Sequence, residues 1–384
     1  MRRRDLDQTR AGATMIFAGL LSILAACPAC DSIASKRIDS AARSSSSSSA
    51  ADAPNGAAAP GNDPTIVALA TLALSCKWEA EPAMGLSREC AAALAWSDAT
   101  QGFVRGRGDD TLVNMLGDVD ERVRWLGASK LHTSGKRYRE EKALADRVVT
   151  ASERETSPRV GAALGLAVAD IQLEKTQTFD RIRAMGVHHA LVPLRVTLIA
   201  NLAWHNPSSA GAYELTREMV RDSEKDVRLA AIQAFWMAGS RRPEDTCRIW
   251  RDNLDTALDD DVEAFANELL AHFGRCQAYY DALLDSLDRR LKASLMTRPG
   301  FASALAYLCQ DAKSTRDQRG RASIILQRTA DLGTALPVVR GASLAALLEC
   351  DPANGKAFVK KFTADDQQAQ LREIAADLLK PTSK

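Results

Sequence analysis

Apolar side chains recur every three to four positions between Pro64 and Lys380, and short Gly, Pro, Asp and Ser breaks separate the stretches that carry this period. Such spacing gathers apolar residues on one helix face, and no segment alternates with the two-residue period of a strand between hairpin turns. The pattern predicts an all-α chain. Asp63-Pro64 sets a capping residue before a first-turn proline and predicts a helix through Leu74. From there helices are expected in pairs.

The second helix of each pair carries one signature: an apolar residue at i, often followed by Arg, a small or apolar residue at i+4, and an apolar residue near i+8. Val123-Arg124 leads to Gly127-Ala128 and Leu131, Val160 to Leu164-Gly165 and Val168, and Leu194-Arg195 to Leu198-Ile199 and Leu202. Val227-Arg228 leads to Ala231 and Phe235, Val262 to Ala266 and Leu270, and Phe301 to Leu305 and Cys309. Val339-Arg340 leads to Ser343-Leu344 and Leu347, and Leu371-Arg372 to Ala375-Ala376 and Leu379. A weaker copy, Leu86, Cys90 and Leu94, is expected to start the series. Successive copies begin 32 to 39 residues apart, the period of stacked helical hairpins. Small residues near i+4 let neighbouring helices approach, and the apolar i and i+8 positions fill the layer between repeats.

This recurrence resembles HEAT repeats, whose second helix commonly reads Asp, then six residues on an Arg after Val, then Ala and Leu. Asp118 to Arg124, Asp222 to Arg228 and Asp366 to Arg372 keep that spacing, whereas Gly161, Glu263 and Ala302 stand where three copies lack the arginine. The resemblance covers nearly all of the chain from residue 65 to residue 380. It implies a right-handed superhelical solenoid of antiparallel helix pairs, with about eight or nine repeats. It also implies that the matching Asp and Arg form a ladder tying repeats together. Arg195 and Arg340 take the same position, and a ligand-binding stripe on a concave face is the competing use for all five arginines. Tetratricopeptide repeats share the period, but no copy carries their Trp, Leu-Gly and Tyr pattern.

The chain ahead of the repeats has a different composition. Arg2, Arg3 and Arg4 precede an uncharged apolar run from Ala11 to Ala26, too short to span a bilayer as a helix, and the run ends in Leu24-Ala25-Ala26-Cys27. These residues resemble the lipobox of bacterial lipoproteins. The resemblance implies removal of residues 1–26, diacylglycerol on the Cys27 thiol, and retention of the mature chain on a membrane outside the cytoplasm. Pro28 follows where Asp often marks inner-membrane retention in Gram-negative lipoproteins, which implies the outer membrane, facing the periplasm. Residues 27–64 hold six consecutive serines, Ser44 to Ser49, followed by Ala, Pro, Gly, Asn and Asp. Such a segment buries too little apolar surface to offset its ordering entropy and is expected to be a disordered tether. Cys27-Pro28-Ala29-Cys30 also has the spacing of a redox dithiol, but no strand-to-helix scaffold surrounds it.

Charge narrows the partner. Taking Arg2, Arg3, Arg4 and Arg10 from 50 basic residues, and Asp5 and Asp7 from 49 acidic ones, leaves 46 and 47. That balance argues against a dedicated nucleic-acid binder. Six cysteines fall in the repeat region, and in an oxidising compartment they allow 15 connectivities. Pairing in chain order, Cys76–Cys90, Cys247–Cys276 and Cys309–Cys350, would link adjacent helices or repeats, and burial as small hydrophobes is the alternative.

No residue pattern identifies a reaction. His132, His188-His189, His205 and His272 lack the close spacing of a zinc site and are expected at surfaces or helix ends. Asp259-Asp260-Asp261 lacks the glycine and spaced acceptors of a calcium loop and suits a helix start. Trp96, Trp204 and Trp236 fall near the ends of second helices and are expected to pack between repeats. Gly-x-Ser-x-Gly, phosphate-loop and dinucleotide fingerprints are missing, so no cofactor and no catalytic residue is assigned. The expectation is a lipid-anchored scaffold that binds a protein or peptide. An enzyme or small-ligand site on a HEAT frame is the alternative, and a purely structural envelope spacer is a third.

Overall fold

A computed structural model describes residues 64–79, 85–87, 89–91, 93, 95–96, 108–238, 242–254, 260–272, 274–364 and 368–380. The chain divides into two units, Met1–Ala57 and Ala58–Lys384, and every described residue belongs to the second. Cys27, the apolar run before it and the serine tract lie outside the described residues.

The described residues are all-α, without a strand. The order is α1 (Pro64–Ala73), α2 (Asp109–Met115), α3 (Glu121–Ser134), α4 (Arg137–Glu140), α5 (Lys142–Arg154), α6 (Pro158–Ala169), α7 (Leu173–Thr176) and α8 (Phe179–His188). Next come α9 (Val192–His205), α10 (Ala210–Met219), α11 (Lys225–Ala238), α12 (Pro243–Leu254), α13 (Asp260–His272) and α14 (Tyr280–Lys292). The last are α15 (Gly300–Gln310), α16 (Arg316–Asp331), α17 (Pro337–Cys350), α18 (Pro352–Ala364) and α19 (Ala369–Leu378). Starts follow local chemistry. The Asp120 carboxylate and the Ser157 and Ser209 hydroxyls cap α3, α6 and α10, Thr315 and Gln318 form a reciprocal capping box on α16, and Pro158, Pro193 and Pro337 sit in first turns.

Each of the eight full signatures falls on one helix: α3, α6, α9, α11, α13, α15, α17 and α19. These helices contact one another in that order along the chain. Their first apolar positions, from Val123 through Leu371, are all buried, as are Leu131, Val168, Leu202, Phe235, Leu270 and Leu347 at i+8. One apolar core runs from Ala70 to Leu347, and a smaller cluster around Val359, Phe362, Leu371 and Ala375 lies at the C-terminal end. Small residues set the closest approach. A Cβ on Gly165 of α6 would collide with the Thr197 hydroxyl and the Leu194 carbonyl of α9. Across the same contact the Thr197 hydroxyl donates to the Ala162 carbonyl at 2.9 Å.

The weak copy begins outside a helix, at Leu86, while Ala91, Ala93, Ala95 and Trp96 further along it are helical. Leu86 forms an isolated antiparallel bridge with Trp78, and a disulfide joins Cys76 to Cys90 with Cα atoms 5.7 Å apart. Gly85 has a φ of 75°, and the Trp125 ring stands where its Cβ would be. The turn packs onto α3 and α6: Trp78 Nε1 donates to Glu121 at 3.0 Å, and the Arg159 guanidinium lies 4.9 Å from the Trp78 ring. A left-handed glycine and a short covalent loop override the helical spacing there.

Candidate functional site

The arginine after the first apolar position reaches back to the turn that joins the two helices of its own pair. Arg124 Nη1 donates to the carbonyls of Asp118 and Val119 at 3.0 and 3.1 Å, and Arg228 Nη1 donates to those of Asp222 and Ser223 at 2.8 Å each. The carboxylate contacts cross to the next pair. Arg124 makes two bonds to Glu155, at 2.8 and 3.0 Å, and Arg195 pairs with Asp222 while its Nε donates to the Gly186 carbonyl at 3.0 Å. Both pairs are largely buried, with Arg195 and Asp222 side chains 8% and 6% exposed.

Glu155 stands five residues before Val160, the offset that separates Asp118 from Val123 and Asp222 from Val227. It therefore fills the ladder carboxylate's place. Burial pushes its carboxyl pKa up, but Arg124 and the amides of Ser157 and Thr156 outweigh that and hold it below the ordinary glutamate range. Where the arginine is missing, its counterpart is missing too. Gly161 takes the arginine position in α6, and in the following copy His189 takes the carboxylate position. His189 Nε2 faces the Ser152 carbonyl at 3.0 Å, and its Nδ1 accepts from the Leu191 amide at 3.1 Å. Near the C-terminus Arg340 is buried, donates from Nε to the Ala330 carbonyl at 2.6 Å and lies 5.7 Å from the Phe362 ring. Arg372 is exposed on α19, and Asp366 lies outside the described residues.

All six cysteines of the repeat region are disulfide-bonded: Cys76–Cys90, Cys247–Cys276 and Cys309–Cys350, with Cα separations of 5.7, 5.4 and 5.0 Å. The second joins α12 to the loop entering α14. The third joins the last turns of α15 and α17, second helices of consecutive pairs.

The histidines divide. His188 is exposed, and His272 lies beside Tyr307 with ring centroids 5.7 Å apart. His132 and His205 meet at a buried carboxylate, Asp170, that spacing alone does not single out. Asp261 pairs with Lys225 across α11 and α13, and Asp259 lies outside the described residues. Trp96 is buried, whereas Trp204 is 50% exposed, and the Trp236 side chain lies outside the described set. Among the described residues no three His, Cys, Asp or Glu side chains gather in a metal-binding arrangement.

An open groove of about 1110 Å³ lies on α8, α10 and α12. Phe179, Arg183, Glu218, Arg221 and Asp252 are among its lining residues. Arg183 and Glu218 pair at 2.9 Å, while Arg221 and Asp180 form no ion pair among the described residues. An open, mixed-charge groove suits an extended polar chain better than a small apolar ligand, which calls for an enclosed apolar cavity. No helix among the described residues is long and apolar enough to cross a membrane. No protein-family model and no curated protein matches the chain.

Proposed function

We propose that this chain is a lipid-anchored protein of the bacterial cell envelope whose HEAT-like, right-handed solenoid holds a protein or peptide partner in the groove on α8, α10 and α12. The observation that carries the reading is the in-order packing of eight signature helices, with Arg124 and Arg195 each tying one helix pair to the next. That arrangement supports the layering of a stacked-repeat scaffold, whose long surfaces suit an extended partner. Three disulfides support an oxidising compartment. Leu24-Ala25-Ala26-Cys27 supplies the anchor, and residues 27–64 have the Ser, Ala, Pro and Gly composition of a tether between it and the helices.

The test places a photo-crosslinking amino acid at Arg221 in the groove and at exposed Lys360 on α18 as a control, in the full chain in its own membranes. A discrete adduct from position 221 and none from 360 is the expected result. Equal labelling at both positions would remove the groove from the reading.

A further inference from the structure

The last turns of α3, α6 and α9 meet at one carboxylate. Asp170 caps the C-terminus of α6, and its side chain is 1% exposed. Its Oδ2 accepts from His132 Nδ1 at 2.9 Å and from the Tyr138 hydroxyl at 3.2 Å, and pairs at 3.0 Å with the Arg139 guanidinium, whose Nη2 donates to the His132 carbonyl at 2.7 Å. His205 Nδ1 stands 3.1 Å from Oδ1, within ion-pair distance but off the line of a hydrogen bond, so Oδ1 has no aligned donor. The two imidazole rings are perpendicular, with centroids 6.4 Å apart. Each is about 30% exposed, so water reaches both rings while the carboxylate between them stays dry.

The charge balance of this cluster depends on protons. With both imidazoles neutral, the Asp170 carboxylate and the Arg139 guanidinium cancel. On the adjoining α4 and α7, Glu140 and Lys175 pair with each other at 2.9 Å and add no net charge, and the buried Asp109 carboxylate is held at the other end of Tyr138 by the Lys136 and Tyr138 amides at 3.0 Å each. One proton on either ring leaves an excess positive charge beside Arg139, and a second places two imidazolium ions on one carboxylate. A neutral tie lies alongside and does not titrate: Asn206 donates to the Ala169 carbonyl and accepts from the Leu173 amide, both at 3.1 Å.

We propose that His132, Asp170 and His205 form a proton-operated clamp between three consecutive helix pairs, closed when the imidazoles are neutral and loosened when both are charged. The proposal stands on the convergence of the three side chains and does not depend on the lipid anchor or on a partner. The sign is consistent with the surroundings of His205. Burial lowers its pKa most, His132 and Arg139 lower it further, and Asp170 offsets only part of this. A histidine whose folded-state pKa lies below its unfolded value stabilises the fold when neutral, and that stability is lost as pH falls below the ordinary histidine range.

The experiment labels the five histidines of the full chain with ¹³C and follows their ring signals by NMR from pH 8 to pH 5, with H132Q and H205Q to assign the two. Amide hydrogen exchange is read on the same samples. The expected result is a His205 midpoint below the ordinary value of about 6.5, raised in H132Q. Exchange in the last turns of α3, α6 and α9, corrected for its chemical rate, should rise at least about threefold between pH 7 and pH 5.5, with no such rise at the end of α17. H205Q should abolish the rise, and H132Q should reduce it if the first variant does not fold. Titration of His205 at or above the ordinary value and independent of His132, a pH response that survives in H205Q, or one of undiminished size in H132Q, would overturn the clamp.

Discussion

Removing the carboxylate of the Arg195–Asp222 pair isolates what the ladder contributes. Asp222→Ala leaves a guanidinium that is 8% exposed with the Gly186 carbonyl but without its anion, and it also strips the Glu224 amide of its acceptor at 2.8 Å. Breaking a buried pair from one side costs about 3–5 kcal/mol, because the remaining charge is desolvated and uncompensated. Burial already lowers the Arg195 pKa, so desolvation is the dominant influence on this cation. Arg195→Met should cost less, about 2 kcal/mol, since the Asp222 carboxylate keeps its bond from the Glu224 amide. The double variant should then be little worse than Arg195→Met alone, giving a coupling energy of about 3–5 kcal/mol. Urea unfolding at pH 7 under non-reducing conditions measures each free energy. Hydrogen exchange across α9 to α11 is needed beside it, because serially packed helix pairs open in parts. Additive single effects, or an Asp222→Ala loss below about 1 kcal/mol, would show that the pair is ornamental and that the arginines are free for other work.

Gly165→Ala should lower stability by about 1–3 kcal/mol, since the new methyl meets the Thr197 hydroxyl and the Leu194 carbonyl across α6 and α9, and calorimetric melting reads the loss. Replacing Cys309 and Cys350 together by serine opens a cross-link spanning 41 residues and should cost about 3–4 kcal/mol, seen as earlier urea unfolding of α15 to α17. Non-reducing peptide maps of native protein should contain that linked peptide, and free thiols at both positions would contradict it. Glu155 titrates below the ordinary glutamate value in the folded chain, so its contribution is full above about pH 4.5 and is lost as pH falls through its lowered pKa. Glu155→Gln should therefore destabilise at pH 7 and flatten the acid limb of the stability curve, whereas parallel curves for the two proteins would refute the sign.

The helical repeat was legible because each copy places the same kind of residue at the same depth. Val160, Leu194, Val227 and Val339 are all fully buried, and packing one helix on the next demands that sameness. At the start of the Leu86 copy periodicity carries no information about backbone sign: Gly85 at positive φ and the Cys76–Cys90 link turn the chain there, and the described helical residues follow only after Cys90. Of the ladder, the arginines were visible but one carboxylate was overlooked. Glu155 breaks the Asp identity while keeping the offset, and position matters more than side-chain length when the acceptor is bidentate. Asp170 was not legible at all. His132 and His205 approach it from 38 residues before and 35 residues after, across two helix contacts, and nothing local marks an aspartate that ends a helix as a meeting point.

The anchor is the claim on which the envelope reading turns, and the mass of the first mature peptide tests it most directly. Protein extracted from its native membranes with detergent should yield an N-terminal peptide that begins at Cys27 and carries a diacylglycerol-sized addition on that residue. An N-terminal peptide that still begins at Met1, or a Cys27 thiol free of lipid in membrane-bound protein, would contradict it.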